Sequence, residues 1–306
     1  MHQTLPAAPT ERTVPESGDG VRLHVRDWGG APTDPVPAAP PLVLLHGLAS
    51  NARIWDGVAA GLLAASRPSG MRVVAVDLRG HGESEQPDDG YDFPTVARDL
   101  EVALEALGIR RPLLVGHSWG ANVALHYAAA GSPAADLAGL VLVDGAFQGI
   151  SEWPGMSREM VRQRLAPPRF AMPLEDWLGQ AGRWLAPGAD PAQSWVREFL
   201  RAGVEVDGDG VARARFHFDN HMQVVDALYE QRPSALYPRV TCPVLLCPAG
   251  GQTVAGKREA VERVSRLLPD ARVTWFEDAM HDIPLQRPLE LAAELARFVL
   301  EVSDRG

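Results

Sequence analysis

"LLVGHSWGANVAL", residues 113–125, is the stretch whose reading decides the fold. An apolar run ends at Val115; Gly, His, Ser, Trp and Gly follow, and a helix-forming run continues to Gly131. The apolar run reads as a strand buried on both faces, and the alanine-rich run after it as a helix. Between them Gly116 and Gly120 flank a single serine, Ser118, in the pattern G-x-S-x-G. A chain that turns sharply from strand to helix strains its turn residue and brings backbone close to it, so the flanking positions must be small. The hydroxyl of Ser118 then stands clear of the sheet, as a nucleophile requires; the alternative is a glycine-rich turn with an incidental serine.

Working outward, short apolar runs recur at "LVLLHG" (42–47), "RVVAVD" (72–77), "GLVLVDG" (139–145), "PVLLCPA" (243–249) and "RVTWFE" (272–277). Helical patterns such as "TVARDLEVALEALG" (95–108) and "KREAVERVSRLL" (257–268) separate them, and "VRLHVRDW" (21–28) alternates as a strand does. Strands alternating with helices imply an α/β fold with a parallel sheet covered on both faces. The first ten residues, rich in Pro and Ala, are expected to fray, and "APTDPVPAAPP" (31–41) reads as a loop. From Gly145 to Cys242 the strand rhythm stops, and helical patterns appear instead ("SREMVRQRL", "PLEDWLGQAGRWL", "DPAQSWVREFLRAG"). That interval reads as a mostly helical insertion, 146–237, in a core made of 1–145 and 238–306. It holds Trp153, Trp177, Trp184 and Trp195, half of the eight tryptophans, which either pack among its helices or line an apolar pocket beneath it.

Composition excludes several classes. Net charge is −10, so no broad basic face for nucleic acid or an anionic membrane is expected. No apolar stretch approaches the length of a membrane span, and no secretory leader is apparent. Cys242 and Cys247 lie five apart in one predicted strand, point to opposite faces and are not expected to pair, which favours a reduced, cytoplasmic setting. No phosphate loop, dinucleotide fingerprint or metal cluster is present in the sequence, and no cofactor is expected. "VDGDG" (206–210) superficially resembles a calcium loop but lacks its ligand spacing and reads as a hairpin turn.

A serine hydroxyl needs a base. Among nine histidines, His281 lies in the loop "EDAMHDIPLQRP" after the last predicted strand, at the carboxyl edge where Ser118 also sits. His46 and His81 share that edge, but each precedes a glycine in a turn with another plausible role. Developing negative charge also needs donors; the backbone N–H groups of Trp119 and of Leu48, in the loop after "LVLLHG", are the candidates.

Taken in order, "LLHGLASNARIW", "VVAVDLRGHGES", "GHSWGANVAL", "LVLVDG" and "MHDIPLQRP" resemble the α/β-hydrolase fold family, specifically its serine hydrolases with a helical cap between the sixth and seventh strands. The resemblance covers nearly the whole chain. It implies a mostly parallel eight-stranded sheet and a Ser–acid–His triad with Ser118 and His281 at the matching positions.

The acid departs from the family pattern. Where most members carry aspartate after the post-cap strand, this chain reads "PVLLCPAGGQTVAG", with Gln252 or Thr253 at the usual place and no carboxylate before Glu259. Neutral side chains cannot stabilise an imidazolium. Asp144, ending the strand beside the nucleophile strand, is where some members place their acid and is the expected third residue. The alternatives are a capping role for Asp144, an acid at Asp282, and a Ser–His dyad. Asp77 is expected to bind loop amides.

The expected activity is hydrolysis of a carboxylic ester or lactone of a hydrophobic or aromatic small molecule, with Trp119, Trp153, Trp177 and Trp184 contacting substrate. Two other readings stay open. One is a cofactor-free dioxygenase using the pair His281–Asp144; the other is a ligand receptor with a residual hydrolase site.

Overall fold

The computed structural model describes residues 8–15, 20–29, 39–64, 71–131, 136–153, 155–185, 189–190, 193–251 and 256–304, Trp184 by its backbone alone. Up to the end of the Ser118 region the elements are β1 (Thr10–Val14), β2 (Leu23–Asp27), β3 (Leu42–Leu45), α1 (Asp56–Ala64), β4 (Val73–Val76), α2 (Phe93–Ala106), β5 (Leu113–His117) and α3 (Trp119–Ala129). Then come β6 (Gly139–Val143), α4 (Arg158–Leu165), β7 (Met172–Pro173), α5 (Leu174–Trp184), α6 (Ser194–Ala202), β8 (Val204–Val206), β9 (Val211–Ala214), α7 (Phe218–Glu230) and α8 (Pro233–Leu236). The chain closes with β10 (Val244–Cys247), α9 (Lys257–Leu267), β11 (Ala271–Val273), α10 (Ile283–Gln286) and α11 (Pro288–Ser303).

Eight strands form one sheet in the order β1-β2-β4-β3-β5-β6-β10-β11. From β4 to β11 all neighbours run parallel; β2 joins β4, and β1 joins β2, antiparallel. Every residue of β3, β4, β5, β6 and β10 is buried, which is why these strands read as unbroken apolar runs rather than alternating ones. One face packs against α2 and α3 through Leu100, Val123 and Leu125; the other against α1 and α11 through Leu62, Leu295 and Phe298.

Three differences from the sequence reading have physical causes. The strand β1 begins at Thr10, where the stretch expected to fray ends, and was not expected: its sequence, TERTV, is exposed at all but Val14 and carries no apolar signal, so only its pairing with β2 defines it. The run "RVTWFE" yields a strand only at Ala271–Val273, with an isolated bridge from Phe276 to Ala249. The interval between β6 and β10 contains α4–α8 but also a three-stranded antiparallel sheet, β7-β9-β8, whose short half-polar strands gave no sequence signal.

The hairpin reading of 206–210 holds. Asp207 Oδ1 accepts from the N–H groups of Asp209 and Val211, and Oδ2 takes Arg213 at 2.6 Å, so the turn itself uses the carboxylate. Cys242 and Cys247 are free thiols, both with pKa pushed up by burial. Among the described residues no helix is long and apolar enough to cross a membrane.

Asp77 organises the loops at the carboxyl edge. It is buried and accepts from Ala52 N–H at 2.6 Å, Glu83 N–H at 3.0 Å and the His24 imidazole at 2.8 Å. Replacing it with alanine orphans these buried donors. Asp77→Ala should lower unfolding free energy by about 3 kcal/mol, read as a fall in the urea midpoint with an unchanged slope.

Candidate active site

Sterics build the site first. Ser118 caps α3 with φ 54° and ψ −118°, outside the regions an L-residue ordinarily occupies. The surrounding backbone is packed so closely that side chains are excluded. A Cβ on Gly116 would lie 2.3 Å from Gly120 O, one on Gly120 2.4 Å from His46 O, and one on Gly145 2.3 Å from Ser118 O. The loop after β3 also comes near: a Cβ on Gly47 would lie 3.1 Å from Ser118 Cβ. The two glycines of G-x-S-x-G are therefore steric requirements of the turn.

Three side chains meet there: Ser118 and Asp144, each directly after its strand (β5 and β6), and His281, from the loop between β11 and α10. Asp144 Oδ2 accepts from His281 Nδ1–H at 2.8 Å. With that proton on Nδ1, Nε2 is an acceptor, and the Ser118 hydroxyl donates to it at 2.8 Å. The His281 loop is pinned by His117, whose Nε2–H donates to His281 O at 2.9 Å, and by Gln286, whose Oε1 accepts Met280 N–H at 2.8 Å. Burial, and then the neighbouring His281 charge, lower the His117 pKa to about 4, so its ring is neutral and keeps this donor role near neutral pH. Asp282 lies 4.0 Å from His117 Nε2, on that side of the loop, while Asp144 occupies the position at His281 Nδ1.

Asp144 is held by more than the imidazole. Its φ is 44°, a left-handed conformation that aspartate tolerates better than most residues, and its N–H donates to Cys247 O at 3.0 Å. Oδ1 accepts from Ala249 N–H at 2.9 Å and meets Lys257 Nζ at 2.5 Å, while Lys257 also donates to Ala249 O at 2.7 Å. Burial opposes ionisation of Asp144, but the His281 hydrogen bond and the charges of His281 and Lys257 outweigh it and hold its pKa below the ordinary value. For His281, burial opposes the charged form; the Asp144 hydrogen bond and the charges of Asp144 and Asp282 prevail, Lys257 pulls the other way, and the pKa ends above the ordinary value.

The three residues open on a cavity of about 620 Å³, with Leu48, Trp119, Phe147, Ile150, Trp153 and Leu228 among its apolar walls and Asn122, Gln148 and His221 among its polar ones. Trp119 is the first residue of α3, whose leading N–H groups a helix leaves unpaired, and Leu48 lies across from it on the same cavity. His46 and His81 do other work. Each is buried, accepts a backbone N–H at Nε2 (Leu78 and Ala49) and donates from Nδ1 to a backbone carbonyl (Gly47 and Arg79).

Of the tryptophans expected at the substrate, Trp119 and Trp153 line the cavity. Trp177 does not: its ring stacks on Phe170 at 4.3 Å, because α5 turns this residue toward Leu174, Leu178 and Ala181. The side chain of Trp184 and residues Gln252 and Thr253 lie outside the described residues. Trp195, in the first turn of α6, is buried in the core and donates to Gln193 Oε1. Sequence reading missed Lys257, His117 and the non-tryptophan walls Phe147, Ile150 and Leu228. For Lys257 a signal existed: it is the only lysine in the chain, every other basic side chain being arginine.

With this geometry in view, comparison with known proteins is decisive for the family. The alpha/beta hydrolase family profile matches residues 42–294. The chain belongs to the alpha/beta hydrolase family. It is 28% identical over 290 residues to a non-heme chloroperoxidase of Streptomyces lividans, covering 92% of this chain and 98% of that protein. It is 25% identical over 288 residues to a bifunctional esterase/perhydrolase of Acinetobacter calcoaceticus, covering 92% and 97%. The solved structure of E-2-(acetamidomethylene)succinate hydrolase superposes with a TM-score of 0.73 over 95% of this chain and 99% of that one, at 24% identity, a likeness of fold. This hydrolase therefore has relatives named for ester, peracid and halide chemistry. Among the described residues no group of three or more His, Cys, Asp or Glu could hold a metal ion.

The elbow gives a stability test. Gly120→Ala places a methyl against backbone oxygens that cannot move aside and should cost about 3 kcal/mol or more, measured as a lowered denaturant midpoint; a substitution that leaves the midpoint unchanged would contradict the packing described.

Proposed function

We propose that this alpha/beta hydrolase is a serine hydrolase cleaving a carboxylic ester or lactone of an apolar or aromatic small molecule. The observation that carries the reading is the continuous pair of 2.8 Å hydrogen bonds from Ser118 Oγ through His281 to Asp144, opening on an apolar cavity. Ser118 Oγ attacks the acyl carbon as His281 Nε2 takes its proton. The N–H groups of Leu48 and Trp119 hold the oxyanion, each contributing about 3 kcal/mol in the transition state. The tetrahedral adduct expels the alcohol, which leaves with the proton from His281, and an acyl-Ser118 ester remains. Water, deprotonated by His281, attacks that ester, releases the carboxylic acid and restores Ser118. Asp144 keeps the imidazole in the Nδ1–H tautomer and offsets its charge.

Residues 146–237 serve in this reading as a cap over a core of 1–145 and 238–306. Phe147, Ile150, Trp153 and Leu228 supply apolar contacts from the cap side, with Trp119 below. A cytoplasmic setting is consistent with two free thiols.

The relatives' names support a second use of the same acyl-enzyme: hydrogen peroxide in place of water yields a peracid and free Ser118. Peracid formation from a short carboxylic acid or ester and peroxide, measured beside hydrolysis, separates the two.

The test is kcat/KM on a panel of phenyl and naphthyl esters and aryl lactones. Asp144→Asn should lower kcat/KM by about 10³–10⁴-fold with an unchanged circular dichroism spectrum; near-wild-type activity would remove Asp144 from the mechanism. Because the base must be neutral and its pKa is raised, kcat/KM should fall as pH drops through a midpoint above the ordinary histidine value, and a profile flat through that range would contradict His281 as the base.

A further inference from the structure

Lys257 is the only lysine in a chain whose other basic side chains are all arginine, and it stands beside the reacting groups rather than on the surface. Its side chain is 14% exposed. One nitrogen reaches two oxygens, Asp144 Oδ1 at 2.5 Å and Ala249 O at 2.7 Å. An ammonium can do this because its donors radiate from a single atom; a guanidinium spreads its donors over a planar fork. The position is also unfavourable by helix electrostatics. Lys257 is the first residue of α9, where the macrodipole opposes a cation. A half-buried cation at a helix N-terminus is explained by the carboxylate it meets.

We propose that Lys257 is a positioning residue: its ammonium fixes Asp144 through Oδ1 and takes up part of the negative charge that Asp144 presents to His281. The inference rests on the hydrolase reading for its consequence but on geometry for its existence. The two Asp144 oxygens divide their work, Oδ1 going to Ala249 N–H and Lys257, and Oδ2 to His281. The charged or titratable groups facing His281 are Asp144 from β6, Lys257 from α9, His117 from β5 and Asp282 from its own loop. His117 is neutral near neutral pH, so Lys257 is the one cation in this set that opposes protonation of His281. In this account Lys257 keeps His281 from becoming so basic that it is protonated at working pH, while Asp144 still fixes its tautomer. The family's usual acid position is left without a carboxylate, and the displaced acid brings a counter-ion of its own.

The single lysine makes the test direct. Full-length protein labelled with ¹³C,¹⁵N-lysine gives one lysine side-chain signal. Between about pH 5 and about pH 9 that signal should step at the pH where His281 titrates, and the step should vanish in His281→Gln. A flat wild-type signal would overturn the proposal without any Lys257 variant having to fold. In Lys257→Met the acid limb of ester hydrolysis should move to higher pH. One unit below the wild-type midpoint, the rate relative to its plateau should fall about threefold or more. Lys257→Arg, which keeps the charge, should hold the limb where the wild type has it while lowering the plateau. An unmoved limb in Lys257→Met, or equal movement in both variants, contradicts charge sharing. If the wild type hydrolyses no ester, the hydrolase reading fails, and the lysine signal still decides the role of Lys257.

Discussion

A carboxylate buried at the end of a parallel strand must have both oxygens answered, and much of this site follows from how Asp144 meets that condition. Unpaired, it would be protonated or would cost several kcal/mol to keep charged. Ala249 N–H and Lys257 serve one oxygen and His281 the other. That arrangement fixes the His281 tautomer, leaves Nε2 facing Ser118, and draws β6, the end of β10 and the start of α9 together at one point. In the proposed mechanism the imidazole needs a charge at Nδ1, not a particular strand to supply it, so the lack of a carboxylate between Cys247 and Glu259 is no obstacle.

The second constraint is steric. Ser118 holds its conformation because strand, turn and helix are pressed together at distances that exclude a Cβ on Gly116, Gly120 and Gly145. Strained backbone clusters at the point where chemistry is proposed, with Asp144 and Ala146 adding left-handed residues at the adjoining strand end. The neighbouring cavity is walled partly by residues between β6 and β10, among them Phe147, Ile150 and Leu228.

The sequence revealed what depends on buried apolar runs and on glycine sterics. The strands β2 to β6 and β10, the Ser118 turn and the loop carrying His281 stand where those signals placed them, β11 is shorter than its apolar run, and Asp144 was singled out by the family resemblance instead. What escaped has a different physical origin. The strand β1 is an edge strand with polar residues, and β7, β8 and β9 are too short and too exposed to alternate legibly. Trp177 was read by residue type, but its direction depends on how α5 sits, and it stacks on Phe170 instead of facing the cavity. Lys257 lies 113 positions from Asp144 in the chain, so no local pattern joins them; only the arginine bias of the whole composition set it apart.

The central claim is that Ser118 is activated by His281. Reaction with a fluorophosphonate, read by intact mass and peptide mapping, tests it without knowledge of the natural substrate. The account predicts one adduct per chain, on Ser118, and none in folded His281→Ala over the same time. A folded wild type that takes no adduct, or an adduct that persists at an unchanged rate in His281→Ala, would contradict it.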